Sequence, residues 1–251
     1  MQPPAAMPRL AVYAACGLAM ALASPALAGD CRLALVLALD VSSSVDEREY
    51  RLQREGLASA LLDEEVVRLF LSDPPVAVHV FEWASPSMQE PLLPGWLLVE
   101  GEEDLGRIAT ALLAHPRTGT RDLQRATGVG AALIHAGAAL AAAPACRAQT
   151  VDVSGDGRNN VGFEPRHVYA THPFDGVTVN ALVVASGSAQ GGPQGDAELT
   201  AWFVSNVLHG RGAFWVLAEG YPDFQRAMKA KLLRELETPE VSGWPRADRA
   251  G

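Results

Sequence analysis

The chain has 251 residues, 49% of them apolar and 20% charged, and a formal net charge of −9. This balance predicts a packed domain and excludes a disordered chain, and the length suits one large α/β domain. The basic residues are not clustered in this acidic chain, which argues against nucleic acid or anionic lipid as a partner.

The amino-terminal segment has the features of a secretory signal peptide. Arg9 is the only charged residue in it, an apolar stretch runs from Leu10 to Ala23, and Ala26-Leu27-Ala28 matches an A-x-A cleavage site before Gly29. We therefore predict a signal peptide over residues 1–28 of a periplasmic or secreted bacterial protein, with no membrane span after cleavage. An uncleaved amino-terminal anchor is the alternative.

The first predicted strand ends in a cluster of oxygen-bearing side chains. Leu33–Leu39 is a short apolar run, typical of a buried parallel strand, and Asp40, Ser42 and Ser44 follow it. Open α/β sheets bind ligands at this end of their strands, and these oxygen donors suit a hard divalent cation. A helix capping box explains Ser44, but it does not explain a carboxylate at the end of a buried strand.

Strand-like and helical patterns alternate along the rest of the chain. Strands are predicted at 76–83, 149–153, 177–184 and 213–217, and more weakly at 96–99. Helices are predicted at 46–70 with a break near Asp63, and at 102–115, 128–142, 164–172, 197–208 and 221–237. This order predicts a doubly wound, mostly parallel central sheet with helices on both faces. We expect one domain over residues 29–237, with a loop at 187–195 and a flexible tail at 238–251.

Thr127 stands at the start of the predicted helix of small residues. Taken alone it is an ordinary helix N-cap, and Thr118 and Thr120 offer the same hydroxyl nearby. Gly128-Val129-Gly130 is not a dinucleotide-binding fingerprint, because Leu133 occupies the place of the third glycine and no strand immediately precedes it.

Asp156 follows the predicted strand Gln149–Val153 and lies between two glycines. An Asp-Gly turn explains this stretch by itself, but this is the second strand to end in a carboxylate. Cys31 and Cys146 lie just before the two strands, and export permits a disulfide. If the strands are parallel neighbours, both cysteines lie at the edge opposite the site, and we predict that they are bonded; two buried thiols are the alternative.

Together, Asp40-x-Ser42-x-Ser44, Thr127 and Asp156 resemble the metal-ion-dependent adhesion site of von Willebrand factor A-type domains. Order and spacing agree, and the resemblance covers residues 31–237. The chain is most similar to an uncharacterised family of exported bacterial proteins with such a domain. Two stretches carry that likeness, the Asp-Val-Ser-Gly-Asp-Gly segment at 152–157 and the Gly-rich turn at 210–214.

The resemblance implies a Mg²⁺ or Mn²⁺ ion bound directly by the hydroxyls of Ser42, Ser44 and Thr127. Asp40 and Asp156 would hold the water ligands of the ion. With few anions bound directly, the ion keeps its attraction for a further anion. One open position would then take a carboxylate from a protein or peptide partner, which implies a binding module rather than an enzyme.

Two other functions compete with this interpretation. A Mg²⁺-dependent hydrolase or phosphotransfer enzyme could use the same carboxylates, but it needs a nucleophile or general base, and only Ser154 and His135 lie near in sequence. A scaffold without metal function is the other alternative.

Overall fold

The computed structural model describes residues 31–117, 126–185 and 192–237, so the predicted signal peptide and tail lie outside it. Within these ranges the chain forms seven strands and seven helices. The strands are β1 (Cys31–Asp40), β2 (Val76–Trp83), β3 (Gln89–Pro91), β4 (Leu97–Val99), β5 (Cys146–Gly155), β6 (Val177–Val184) and β7 (Trp215–Ala218). The helices are α1 (Glu47–Leu61), α2 (Glu64–Phe70), α3 (Glu102–Ala114), α4 (Val129–Ala141), α5 (Pro165–Thr171), α6 (Gly192–Asn206) and α7 (Phe224–Leu236).

The strands form one sheet in the order β3-β2-β1-β5-β6-β7, and β4 pairs with β2 beside β3. Strands β1, β2, β5, β6 and β7 are parallel, while β3 and β4 run antiparallel to β2. The chain moves from β1 to β2 on one side and later enters β5 on the other. The carboxyl ends of β1 and β5 therefore form a topological switch point, where open α/β sheets bind ligands.

Helices cover both faces of the sheet, as the alternating patterns predict. Helices α1, α2, α3 and α7 pack on one face, and α4, α5 and α6 pack on the other. Successive residues of β1 contribute alternately to the two cores, for example Leu37 to the first and Ala38 to the second. Burial on both faces explains why this strand is apolar throughout.

The predicted doubly wound, mostly parallel α/β fold is confirmed, with local differences. The short antiparallel strand β3 was not predicted, and β7 begins at Trp215 rather than at residue 213. Helix α6 begins at Gly192, inside the predicted 187–195 loop. The predicted break near Asp63 is confirmed, because its side chain accepts a hydrogen bond from the amide of Glu65 and starts α2.

The predicted disulfide is confirmed. Cys31 and Cys146 are the first residues of β1 and β5, they stand opposite each other in the parallel ladder, and they are bonded. The bond lies at the amino edge of the sheet, at the far end of both strands from Asp40. None of the helices in the described ranges is long and apolar enough to cross a membrane.

Candidate metal centre

Asp40 is the last residue of β1, and its carboxyl group is completely buried. Its Oδ1 accepts a hydrogen bond of 2.8 Å from the Ser42 amide, which fixes the turn that follows the strand. Its Oδ2 has no hydrogen bond of standard geometry among the described residues. A Cβ at Gly155 would lie 3.1 Å from this oxygen, so the glycine of the neighbouring strand leaves room beside it. A buried carboxylate oxygen without a partner is costly, so this position is suited to a bound cation.

The two serine hydroxyls connect Asp40 to the end of β5. Ser42 Oγ and Ser44 Oγ are 3.1 Å apart, and Ser44 Oγ donates a hydrogen bond of 2.7 Å to Asp156 Oδ1. Ser42 is buried, whereas Ser44 is exposed. The predicted residues of β1 and β5 therefore meet at the switch point, and the Ser44 side opens to solvent.

Thr127 is buried at this same edge, just before α4. The loop of residues 156–160, here called the Asp156 loop, is hydrogen-bonded to the backbone of Thr127. The Thr127 amide donates to Asn160 Oδ1 at 2.8 Å, and the Asn160 amide donates to the Thr127 carbonyl at 2.9 Å. A Cβ at Gly157 would lie 3.4 Å from Thr127 Oγ1, so the loop also passes close to the hydroxyl.

The structure thus brings together Asp40, Ser42, Ser44, Thr127 and Asp156, and their role as metal ligands stays a prediction. Thr118 and Thr120 lie outside the described residues. The described ranges contain no group of three histidine, cysteine, aspartate or glutamate residues able to hold a metal. The five predicted ligands offer only oxygen atoms, which suit a hard cation better than zinc or copper.

The two carboxylates disfavour each other's charge. Burial raises the pKa of Asp40 to about 8, and the nearby charge of Asp156 adds to this shift. Burial also raises the pKa of Asp156, and the hydrogen bond from Ser44 acts in the opposite direction. A cation between the two carboxylates would favour the charged form of both.

Polar side chains that the sequence patterns did not single out brace the turn after β1. Gln53 of α1 donates a hydrogen bond of 2.9 Å to the Asp40 carbonyl. Arg117 donates through Nη2 to the carbonyl of Val45 at 2.7 Å and, at 3.3 Å, to that of Val41. These side chains therefore fix the backbone at both ends of the turn.

Tyr221 is a second feature that the sequence patterns missed. It lies in a 3-10 turn between β7 and α7, and its hydroxyl is buried near Asp156 without a hydrogen bond of standard geometry. Burial, and then the charges of Asp156 and Asp40, raise the pKa of Tyr221 well above its ordinary value. The phenol therefore stays protonated beside the carboxylates and can donate to Asp156.

A polar depression of about 480 Å³ opens beside Ser44 and Thr127. The Asp156 loop forms one wall, and Glu198 and Leu199 of α6 contribute another. The predicted metal position therefore lies next to a solvent-open space large enough for an incoming side chain.

This fold is similar to solved structures of von Willebrand factor A-type domains. PTMP1 from the mussel byssus, solved with a zinc-occupied MIDAS motif, is 18% identical with a TM-score of 0.53; the match covers 83% of this chain and 48% of that one. A von Willebrand factor type A protein from Catenulispora acidiphila is 12% identical with a TM-score of 0.54, over 82% of this chain and 43% of that one. Manganese-loaded Plasmodium vivax TRAP is 17% identical with a TM-score of 0.50, and the match covers 83% of this chain and 74% of that one.

The molecule therefore has a von Willebrand factor A-type fold, as the sequence resemblance implied. The chain belongs to the family described as "Protein of unknown function (DUF1194)", whose sequence model matches residues 30–240. No curated protein matches it in sequence. At these identities the structural likeness establishes the fold alone, and the chain spans less than half of the mussel and Catenulispora proteins.

Proposed function

We propose that the protein is an exported binding module that holds Mg²⁺ or Mn²⁺ at the switch point. The hydroxyls of Ser42, Ser44 and Thr127 would bind the ion directly, and Asp40 and Asp156 would hold its water ligands. When bound, the ion supplies an open position that attracts an oxygen anion.

The observation that carries this proposal is the buried Asp40 Oδ2, which lacks a hydrogen bond of standard geometry at the strand end where the hydroxyls of Ser42 and Ser44 meet the carboxylate of Asp156. The donor set is entirely oxygen, as Mg²⁺ and Mn²⁺ prefer. The raised pKa values of Asp40 and Asp156 support the same conclusion, because burial disfavours the charged form of both carboxylates and a bound cation would favour it.

The partner we propose is a protein or peptide that supplies a carboxylate. The hydroxyl ligands are neutral and the carboxylates act through water, so the ion would remain attractive to an acidic side chain. The depression beside Ser44 and Thr127 gives that side chain access from solvent. Neither nucleic acid nor lipid fits an acidic chain without a basic cluster.

Binding is favoured over catalysis because the two candidate reactive groups lie elsewhere. Ser154 is buried in β5, and its hydroxyl has no hydrogen-bond partner in the described part of the chain. The His135 ring packs 4.5 Å from the ring of Phe81, centroid to centroid. Neither residue lines the depression. A hydrolase or phosphotransferase would need a reactive group there.

Export of the protein to the periplasm or medium is part of the proposal. The Cys31–Cys146 disulfide is typical of an oxidising compartment, and the A-x-A site before Gly29 is typical of a cleaved signal peptide. Intact-mass measurement of the exported protein should give a chain that begins at Gly29.

Titration calorimetry with Mn²⁺ and Mg²⁺ tests the metal site. Asp40→Asn keeps the oxygen that accepts from Ser42 but removes the charge, and it should weaken binding about 10- to 100-fold. Asp104→Asn is the matched control, since it makes the same change at a buried carboxylate that also accepts from backbone amides, at the start of α3, and its metal affinity should equal that of the wild type. Absence of binding by the wild type at millimolar metal would favour the scaffold alternative.

A further inference from the structure

The depression beside the proposed metal position contains a single cationic side chain among its described lining residues, that of Arg158. The protein as a whole is acidic, with a formal net charge of −9. This overall charge would repel an approaching acidic partner. Arg158 is the positively charged side chain at the depression, where such a partner would enter.

The backbone of Arg158 is held in place relative to the proposed ligands. Arg158 lies in the Asp156 loop, and both sides of it contact Thr127. Gly157 before it passes close to the Thr127 hydroxyl, and Asn160 after it makes two hydrogen bonds to the Thr127 backbone. The side-chain amide of Asn159 adds a further contact, since its Oδ1 accepts from the Gly130 amide at 3.2 Å. The backbone of Arg158 is therefore fixed by hydrogen bonds of its loop, while its side chain is half-exposed.

The contact that Arg158 makes in this structure is weak. Its Nη2 lies 3.4 Å from Glu198 Oε2, with both side chains about half exposed (49% and 58%). Exposed ion pairs contribute little to stability, so an incoming carboxylate can replace Glu198 at small cost. Glu198 itself has another contact, because Gln194 Nε2 lies 3.3 Å from its Oε1.

We infer that Arg158 is a specificity-determining residue that selects partners with two neighbouring carboxylates. This inference rests on the proposed metal-dependent binding function. One carboxylate takes the open position on the metal, and the second displaces Glu198 and pairs with the Arg158 guanidinium, which binds carboxylates in a planar, two-point geometry. The partner is thus an acidic peptide segment with paired acidic side chains, rather than any surface that offers one acid.

Small carboxylates test this inference without knowledge of the partner. Mg²⁺-loaded, ¹⁵N-labelled protein is titrated with acetate and with the dicarboxylates succinate, glutarate and adipate, and chemical shifts give each affinity. The best dicarboxylate should bind about three- to fivefold more weakly to Arg158→Gln than to the wild type, as expected for loss of one exposed ion pair. Acetate should lose much less affinity, and Glu198→Gln should strengthen dicarboxylate binding. Metal occupancy is verified by calorimetry for every variant.

Arg68→Gln is the matched control, because Arg68 is an exposed arginine on α2 whose guanidinium contacts only a helix carbonyl in the described contacts. It removes one positive charge away from the depression and should leave all affinities unchanged. An equal loss of acetate and dicarboxylate affinity in Arg158→Gln, or no loss of either, overturns the inference and leaves the proposed function intact. If neither acetate nor dicarboxylates bind to the Mg²⁺-loaded protein, the proposed function fails, and the inference fails with it.

Discussion

Lys231 of α7 is the cation at the centre of a buried ionic cluster, and replacing it with methionine should destabilise the protein severely. Its ammonium group is completely buried, 2.7 Å from Asp152 Oδ1 and 2.6 Å from Glu235 Oε1. Asn180 donates a further hydrogen bond of 2.8 Å to Glu235. Methionine fills a similar volume, so the change mainly removes the charge.

The expected cost follows from burial. Without Lys231, Asp152 and Glu235 remain in the core with no cation between them, and breaking such a buried pair typically costs about 3–5 kcal/mol. Lys229 on the same helix is the matched control, at 2.9 Å from Asp63 and 2.6 Å from Glu65, but at the surface. Lys229→Met should cost less than about 1 kcal/mol, because solvent screens this pair.

Urea unfolding at pH 7 and pH 9 measures both costs. Burial raises the pKa of Asp152 to about 7, and Lys231 opposes that shift, so the pKa should rise further in Lys231→Met. A carboxyl group whose pKa is higher in the folded than in the unfolded protein makes the protein less stable as pH rises through the folded pKa. The deficit of Lys231→Met relative to the wild type should therefore be larger at pH 9 than at pH 7. Equal costs for the two lysine variants, or a deficit that does not change with pH, would refute this reasoning.

Three further predictions concern stability. Burial raises the pKa of Glu82 to about 7, so the stability of the wild type should fall between pH 5 and pH 7. In urea unfolding, Glu82→Gln should gain about 2–3 kcal/mol relative to the wild type over this range. A stability difference that stays constant with pH would contradict the raised pKa. Replacing Cys31 and Cys146 with alanine opens a link across 115 residues and should cost about 2–5 kcal/mol in unfolding without reductant; an unchanged midpoint would count against the bond. Gly130→Ala should lower the free energy of unfolding by about 1–3 kcal/mol, because its Cβ would lie 1.8 Å from a backbone carbonyl oxygen. Gly106→Ala on α3 has open space around it and should raise the free energy of unfolding by about 0.5–1 kcal/mol. The reverse order of stability would be inconsistent with this packing.

The sequence predicted the elements whose local pattern and tertiary environment agree. β2 and β6 were predicted with the bounds that the structure gives, because both are apolar runs buried on both faces. Asp40 and Asp156 were found because each lies at the carboxyl end of a strand that is also apolar or buried there. Cys31 and Cys146 were paired for the same reason, since parallel neighbouring strands bring their first residues together.

The residues that the sequence did not predict depend on contacts between distant segments. Arg117 reaches the turn after β1 across a sequence separation of 76 residues, and nothing around it in the sequence marks a contact. Tyr221 faces Asp156 because a turn after β7 brings it to the same edge. The start of α6 was misplaced because its first turn contains glycine and proline, which favour a loop when no packing information is available.

The position of the metal is the central claim, and a crystal grown with Mn²⁺ tests it most directly. Anomalous difference density locates Mn²⁺ independently of the protein coordinates. We predict one strong peak at the carboxyl edge of the sheet, within ligand distance of the hydroxyls of Ser42, Ser44 and Thr127, and its loss in Asp40→Asn. A strong peak elsewhere, or none at saturating Mn²⁺, would contradict the account.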